Sequence, residues 1–115
     1  MAKFKIEWSI EARLDLLDIL NYYVIRNKSA AYSKKLNSKI YNSTKLIAKH
    51  PFIGTQTGID TVRAFITGDY QIIYEILDNK ILITLIWDCR RDPEDKIIDS
   101  RIKKISQVGK GEFHP

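Results

Sequence analysis

The stretch VRAFITGDYQIIYEILDNKILITLIWDCRRDP, residues 62–93, decides the fold. It contains three runs rich in β-branched and aromatic residues, at 62–67, 70–77 and 80–88, as strands prefer. Two turn-forming pairs, Gly68-Asp69 and Asp78-Asn79, separate these runs. The sequence therefore predicts a three-stranded antiparallel meander.

A strand and a helix are predicted at the amino-terminal end. Residues 3–8 alternate between charged and apolar side chains, which is the period of a half-buried strand. Ser9 follows as a predicted helix N-cap. A first helix that ends near Asn27 is predicted to pack through a wide apolar face, in which Leu14, Leu17 and Val24 recur at helical spacing. The residues that flank these three on the same face are Leu16, Ile19, Leu20 and Tyr23.

A second helix is predicted to pair with the first as a hairpin. Ser29 is its expected N-cap, and Pro51 stops it after about His50. Residues 51–58 are predicted to form a loop because of their Pro and Gly content. This loop would lead the chain into the meander.

A last helix is predicted after the meander. Asp92 suits the N-cap, Pro93 suits the first helical position, and Gly109 suits the residue just beyond the end. We therefore expect a helix over 93–109 and a tail over 110–115. The predicted class is α+β: strand, two-helix hairpin, three-stranded meander and C-terminal helix, in a single domain over 1–115.

Size and composition fit a globular domain that needs no membrane and no disulfide. The chain has 115 residues, 44% hydrophobic and 29% charged. Its longest apolar run, 81–87, is much shorter than the roughly 20 residues that span a bilayer. The start has no continuous apolar stretch of a secretory signal, and Cys89 is the single cysteine, so we expect a cytoplasmic protein.

The positive charge is concentrated in one part of the chain. The formal net charge is +5, yet residues 19–59 contain no Asp or Glu. Lys35 and Lys39 lie four residues apart on the second predicted helix, so they share a face. Either a solvated helix face or a surface for a polyanion or an acidic protein explains this pattern. The cations of this segment are Arg26, Lys28, Lys34, Lys35, Lys39, Lys45 and Lys49.

Several short motifs, in this order, resemble the RelE/ParE toxin superfamily over roughly residues 3–93. The resemblance implies a bacterial type II toxin that a cognate antitoxin neutralises. It also implies one of two targets, DNA gyrase or the translating ribosome with its messenger RNA. The matching pieces are Trp8-Ser9, Ala12, Asp15-Leu16, the loop 51–54, Val62-Arg63, the run 68–76 and the run 88–93.

The resemblance also implies site residues. Arg90 matches the phosphate-binding arginine at the end of the last strand in RelE-like nucleases, and Arg63 falls where those enzymes carry a basic residue. The chain departs from the nuclease pattern at Gln71, at Phe65 and at Lys96, which stand near positions for arginine, lysine and tyrosine. The further residues that we expect to bind the target are Arg91, Gln71, Lys96, Lys35 and Lys39.

The residue types favour anion binding over proton transfer. RNA cleavage needs a base, an acid and a cation, and an arginine can supply only the cation because its pKa is too high for proton exchange. Neither His50 nor His114 matches a family position. No pair of His or Cys residues has metal-ligand spacing, so we predict no metal and no cofactor.

Three functions therefore remain open. A ParE-like gyrase poison is favoured, because the proton-transfer residues of a nuclease are missing. A RelE-like, ribosome-dependent and metal-independent mRNA endonuclease is the enzymatic alternative. A basic nucleic-acid-binding module without toxicity is the third, and the acid-free segment is its motive.

Overall fold

The computed structural model describes residues 4–90, which form one mixed sheet with two helices on one face. The strand order is β1-β5-β4-β3-β2, with β1 parallel to β5 and all other neighbours antiparallel. The predicted C-terminal helix over 93–109 and the tail over 110–115 lie outside the described residues. The elements are β1 (Lys5–Trp8), α1 (Ile10–Asn27), α2 (Ala31–Lys49), β2 (Thr55–Gln56), β3 (Val62–Thr67), β4 (Tyr70–Ile76) and β5 (Lys80–Asp88).

The predicted meander is confirmed, and so is the turn between its first two strands. Gly68 has a φ of 62°, a left-handed conformation that costs glycine little. The β4–β5 register shifts between Ile73, which pairs with Leu85, and Tyr74, which pairs with Ile83. Thr84 is the extra residue of this bulge, and its hydroxyl donates to the Ile73 carbonyl at 3.0 Å.

The helix boundaries agree closely with the sequence, but two local predictions need correction. The Ser9 hydroxyl caps α1 by accepting from the Ala12 amide at 3.0 Å. The cap position of α2 is Ala30 rather than Ser29, whose hydroxyl instead accepts from the Ala31 amide. The predicted loop over 51–58 contains β2, which pairs with β3 through two residues.

The wide apolar face predicted for α1 is buried only in part, because Leu16, Ile19 and Tyr23 are buried but its central leucines are not. Leu14 and Leu17 are exposed, whereas the helix buries the opposite side. This helix has apolar residues on most of its circumference, so periodicity alone could not choose the face that packs. The buried residues of α1 are Ala12, Leu16, Ile19 and Tyr23.

The sheet has an apolar cluster on each face. The larger one joins the buried faces of α1 and α2 to alternate residues of β4 and β5, such as Ile72 and Ile83. A smaller one lies on the opposite face around Val62, Ile73 and Leu85. Central strands that are apolar on both faces are therefore buried on both, which explains the nearly continuous hydrophobic run of β5.

Helix α1 is tied to β5 by side chains that reach the strand beyond the end of β1. The Ser9 hydroxyl donates to the Thr84 carbonyl at 2.9 Å. The Asp15 carboxylate accepts from the Ile86 amide at 3.1 Å. These bonds satisfy backbone groups of β5 that β1 is too short to reach, so the helix completes the edge of this strand.

A buried tyrosine fixes the loop between α2 and β3. The Tyr74 hydroxyl donates to the Pro51 carbonyl at 2.6 Å and accepts from the Gly54 amide at 3.0 Å. A Cβ at Gly54 would lie 2.6 Å from this hydroxyl, so the close approach requires glycine. Burial raises the pKa of the Tyr74 hydroxyl, which therefore stays a neutral donor.

We expect Tyr74→Phe to lower the free energy of unfolding by about 1–3 kcal/mol, because the buried Gly54 amide loses its acceptor. Urea unfolding followed by circular dichroism measures this change. Tyr41→Phe is the matched control, since Tyr41 is exposed. A loss for Tyr74→Phe no larger than that of the control would contradict the proposed tie.

Candidate functional site

Arg90 lies just beyond the end of β5, where hydrogen bonds from two backbone amides hold the chain in place. The Cys89 amide donates to the Asp69 carbonyl in the β3–β4 turn at 2.8 Å. The Arg90 amide donates to the Asp88 carboxylate at 2.9 Å. The arginine that the resemblance singled out is therefore set at one end of the sheet by the turn next to it.

The guanidinium of Arg90 lies among three tyrosine rings, which we call the tyrosine cage: Tyr23, Tyr32 and Tyr70. Its central carbon is 4.8, 5.6 and 5.3 Å from the respective ring centroids. Its Nη2 donates to the Tyr32 hydroxyl at 2.7 Å and also to the Tyr70 hydroxyl. The two hydroxyls are 2.9 Å apart, so the cage is internally hydrogen-bonded.

Two carboxylates complete the surroundings of Arg90. Asp88 is buried and accepts from the Tyr23 hydroxyl at 3.0 Å, while its other oxygen lies 3.8 Å from Arg90 Nε. Asp69, which is exposed, is 3.5 Å from the same nitrogen. A cation next to Asp88 offsets the cost of burying that carboxylate.

The cage holds charge and does not exchange protons near neutral pH. Burial raises the pKa of the Tyr23 and Tyr70 hydroxyls, and the hydrogen bonds to Asp88 and Tyr32, respectively, raise them further. Burial opposes the charge of Arg90, but its bond to Tyr32 and its attraction to Tyr70 outweigh that cost and raise its pKa. Arg90 is thus a permanent cation among neutral phenols.

Arg63 is not part of this cage. Its Nη1 donates to the carbonyls of Phe52 and Gly54 at 3.2 and 2.7 Å, and its guanidinium lies 5.0 Å from the Phe52 ring centroid. Four residues, or about 13 Å of strand, separate it from Thr67 at the turn end of β3. The structure therefore uses Arg63 to hold the loop before β2, away from Arg90.

The other residues expected to bind the target divide between several places. Gln71 donates to the Cys89 sulfur at 3.5 Å, and alternation along β4 puts it on the sheet face opposite to Tyr70. Arg91 and Lys96 lie outside the described residues. Among the expected residues that the structure describes, only Lys35 and Lys39 lie together, on the shared helix face that their spacing predicts.

Lys35 and Lys39 line a shallow cavity of about 520 Å³ along α2, which we call the α2 groove. Lys39 extends from it towards the β3–β4 turn, where its Nζ lies 2.9 Å from the place a Cβ on Gly68 would occupy. The groove and the cage therefore meet at the same turn. The remaining residues of the lining are Ser38, Asn42, Ser43 and Leu46.

The one histidine within residues 4–90 does not reach the cage. His50 follows the last residue of α2, about 27 Å along the helix from Tyr32. Over the same residues, no group of His, Cys, Asp and Glu side chains is arranged to hold a metal ion. None of the described helices is long and apolar enough to cross a membrane.

Sequence reasoning missed the three tyrosines of the cage. Tyr23 and Tyr32 lie at apolar-face positions of their helices and Tyr70 lies in a strand, where the sequence pattern indicates core packing. All three pack there, but a tyrosine at such a position also carries a hydroxyl that needs a partner. Leucine would pack equally well at these positions. The choice of tyrosine, with its polar hydroxyl, is the signal in the sequence that could have indicated a functional site.

Comparison with known proteins identifies the family. Residues 6–93 match the family described as the ParE toxin of type II toxin–antitoxin system, parDE. A solved chain of the chromosomal ParDE toxin–antitoxin system from P. aeruginosa shares the fold, with a TM-score of 0.65 at 18% identity. The alignment covers 73% of this chain and 94% of that one. No curated protein matched the sequence.

We expect the stability of the domain to fall as the pH rises above 10, the ordinary pKa of tyrosine. The pKa values of Tyr23, Tyr70 and Tyr74 are raised in the folded protein. As the pH rises, these tyrosines therefore lose their protons more readily in the unfolded chain, and this shifts the equilibrium towards unfolding. Thermal unfolding across this pH range, with phenolate absorbance, measures the effect. Tyr70→Phe should make the decline shallower, and an unchanged slope would contradict the role given to burial.

Proposed function

Because the chain belongs to the ParE toxin family of type II toxin–antitoxin systems, we propose that its target is DNA gyrase, which it binds without catalysing a reaction. A cognate antitoxin would neutralise it in the cytoplasm. Arg90 is the principal contact with the target in this proposal, and the α2 groove is a second one.

The observation that carries the proposal is the setting of Arg90. Cleavage of RNA requires a base for the 2′-hydroxyl and an acid for the leaving oxygen. The phenols around Arg90 have raised pKa values, and both nearby carboxylates are paired with the arginine itself. A fixed cation with neutral aromatic walls suits recognition of an anionic or hydrogen-bonding surface better than proton transfer.

The charge of the chain supports an acidic antitoxin as the partner. The net charge is +5, and the segment without acidic residues includes the whole of α2. Complementary charge speeds the encounter of two proteins and disfavours wrong partners. A chain of similar fold belongs to a ParDE toxin–antitoxin system, which agrees with such a pair.

A second candidate function is the binding of nucleic acid, and the α2 groove favours it. The groove places Lys35 and Lys39 beside hydroxyl and amide side chains, a combination that contacts phosphate oxygens in many complexes. This candidate is compatible with gyrase as the target, since gyrase holds DNA. It would also stand alone in a chain that binds nucleic acid without arresting growth.

We expect Arg90→Lys to weaken inhibition of purified gyrase by at least about tenfold, because one charge-assisted hydrogen bond is worth about 1.5–3 kcal/mol. Lysine keeps the charge but cannot stack in the cage or donate through a planar fork. A supercoiling assay over a range of toxin concentrations measures the loss. Arg26→Lys is the matched control, because Arg26 also bonds a tyrosine hydroxyl but on exposed α1 surface.

Growth and RNA measurements separate the alternatives. Induction without the neighbouring antitoxin gene should arrest growth and leave messenger RNA intact. Messages cut within translated codons by the toxin and purified ribosomes would overturn the gyrase proposal in favour of a nuclease. Full gyrase inhibition by folded Arg90→Lys would remove the role proposed for this arginine.

We expect the double variant Lys35→Gln and Lys39→Gln to bind a DNA duplex more weakly and with a salt slope smaller by about 1–2, because each lysine on a phosphate adds about one unit. Fluorescence anisotropy from low to moderate salt measures the slope. Lys34→Gln with Lys45→Gln is the control of equal charge, since neither residue lines the groove. Equal slopes in the two double variants would exclude a specific role for the groove.

A further inference from the structure

Helix α1 presents a line of apolar side chains to solvent. The exposed fractions are 74% for Ile10, 60% for Leu14 and 55% for Leu17. Further along the same side Asn21 is exposed, and Val24 is half-buried beside Ile25, which is 76% exposed. Single exposed hydrophobic residues are common, but a continuous row on one helix face indicates an interaction surface. This row lies opposite the face that packs on the sheet, so burying it would leave the fold unchanged.

The spacing along this face is that of a coiled coil. Ile10, Leu14, Leu17, Asn21 and Val24 follow each other at intervals of four, three, four and three residues. In heptad notation they occupy positions d, a, d, a and d. We call these five residues the α1 seam. Asn21 is its only polar member.

We propose that the α1 seam is a self-association surface on which a second copy of this chain docks, with the two α1 helices parallel and in register. A single asparagine at an a position specifies register and the two-stranded state in parallel coiled coils, at some cost in stability. Parallel pairing puts Asn21 against Asn21 of the second copy, where each amide finds a partner.

Antiparallel pairing does not offer this match. It would set each a residue beside a d residue, and every d residue of the seam is aliphatic: Ile10, Leu17 and Val24. Asn21 would then be buried against apolar atoms without a hydrogen-bond partner, which is costly. The position of Asn21 therefore favours the parallel dimer.

The charges beside the seam agree with the same orientation. Arg13 occupies a g position and Asp18 the e position five residues later. Across a parallel dimer, g of one helix faces e of the other, so an arginine of each copy meets an aspartate of the other. This complementarity adds to the orientation that Asn21 already favours.

The dimer is expected to be weak and concentration-dependent. The seam spans about two heptads, which is short for a free coiled coil. The domain, however, holds α1 as a formed helix, so association does not have to order the backbone. This proposal concerns α1 alone. A test of self-association is therefore independent of the test that identifies the target of the toxin.

Cross-linking tests the orientation. In a Cys89→Ser background, we expect Asn21→Cys and Leu14→Cys each to form a disulfide-linked dimer on mild oxidation, because a positions of a parallel pair approach within disulfide range. Lys45→Cys, on the exposed face of α2, is the control and should stay largely monomeric. Cross-linking of Asn21→Cys no greater than that of the control would overturn the parallel dimer.

Sedimentation tests the association itself. The unmodified chain should shift from monomer towards dimer as its concentration rises, and Leu14→Glu with Leu17→Glu should weaken this by at least tenfold while circular dichroism stays unchanged. A chain that is monomeric at every concentration overturns the proposal. The proposal is also overturned if the unmodified chain does not self-associate and Leu14→Glu with Leu17→Glu loses antitoxin binding. The antitoxin, and not a second copy of the chain, would then occupy the seam.

Discussion

The rest of the structure depends on the hydrogen bonds by which α1 completes the edge of β5. β1 pairs with only the first half of this strand, so its second half needs other partners. The cap residue Ser9 and Asp15 of α1 supply them at Thr84 and Ile86, and this fixes both the rotation of the helix and its distance from the sheet. One consequence is that Tyr23 lies beside Arg90. Another is that the α1 seam faces solvent. A further contact, from the Tyr23 hydroxyl to the Asp88 carboxylate, joins two side chains and not the strand backbone.

Turn chemistry and capping made most of the fold predictable from the sequence, because they act locally. Gly68 marks the first meander turn, and Ser9 marks the start of α1 with a side-chain bond to its first turn. The buried face of α1 could not be predicted in the same way. Leucines at 14, 16 and 17 are equally apolar, and only the docking of the helix on β5 decides that Leu16 alone is buried. The parallel pairing of β1 with β5 was likewise beyond any local signal, because its partners are distant in sequence.

The candidate site was predictable only in part, for a related reason. Arg90 was found through the family resemblance, and Lys35 with Lys39 through helical spacing. The tyrosine cage escaped prediction because its members come from α1, α2 and β4, so that only the assembled domain brings the three rings together. Arg63 shows the opposite case. Its residue type fitted a phosphate site, but neighbouring carbonyls engage it in holding a loop.

The contact between Ser9 and Thr84 joins residues that are 75 positions apart, and this has a consequence for how the protein is made. During synthesis, β1 and α1 leave the ribosome long before their principal partner strand exists. Their contacts with β5 can form only after that strand has emerged, since pairing of such distant segments must wait for the later one. Arg90 follows two residues later. A chain that stops before β5 therefore lacks the strand that joins β1 to β4 and the arginine of the tyrosine cage, so translation that stops early releases a fragment without the principal contact that we propose for the target.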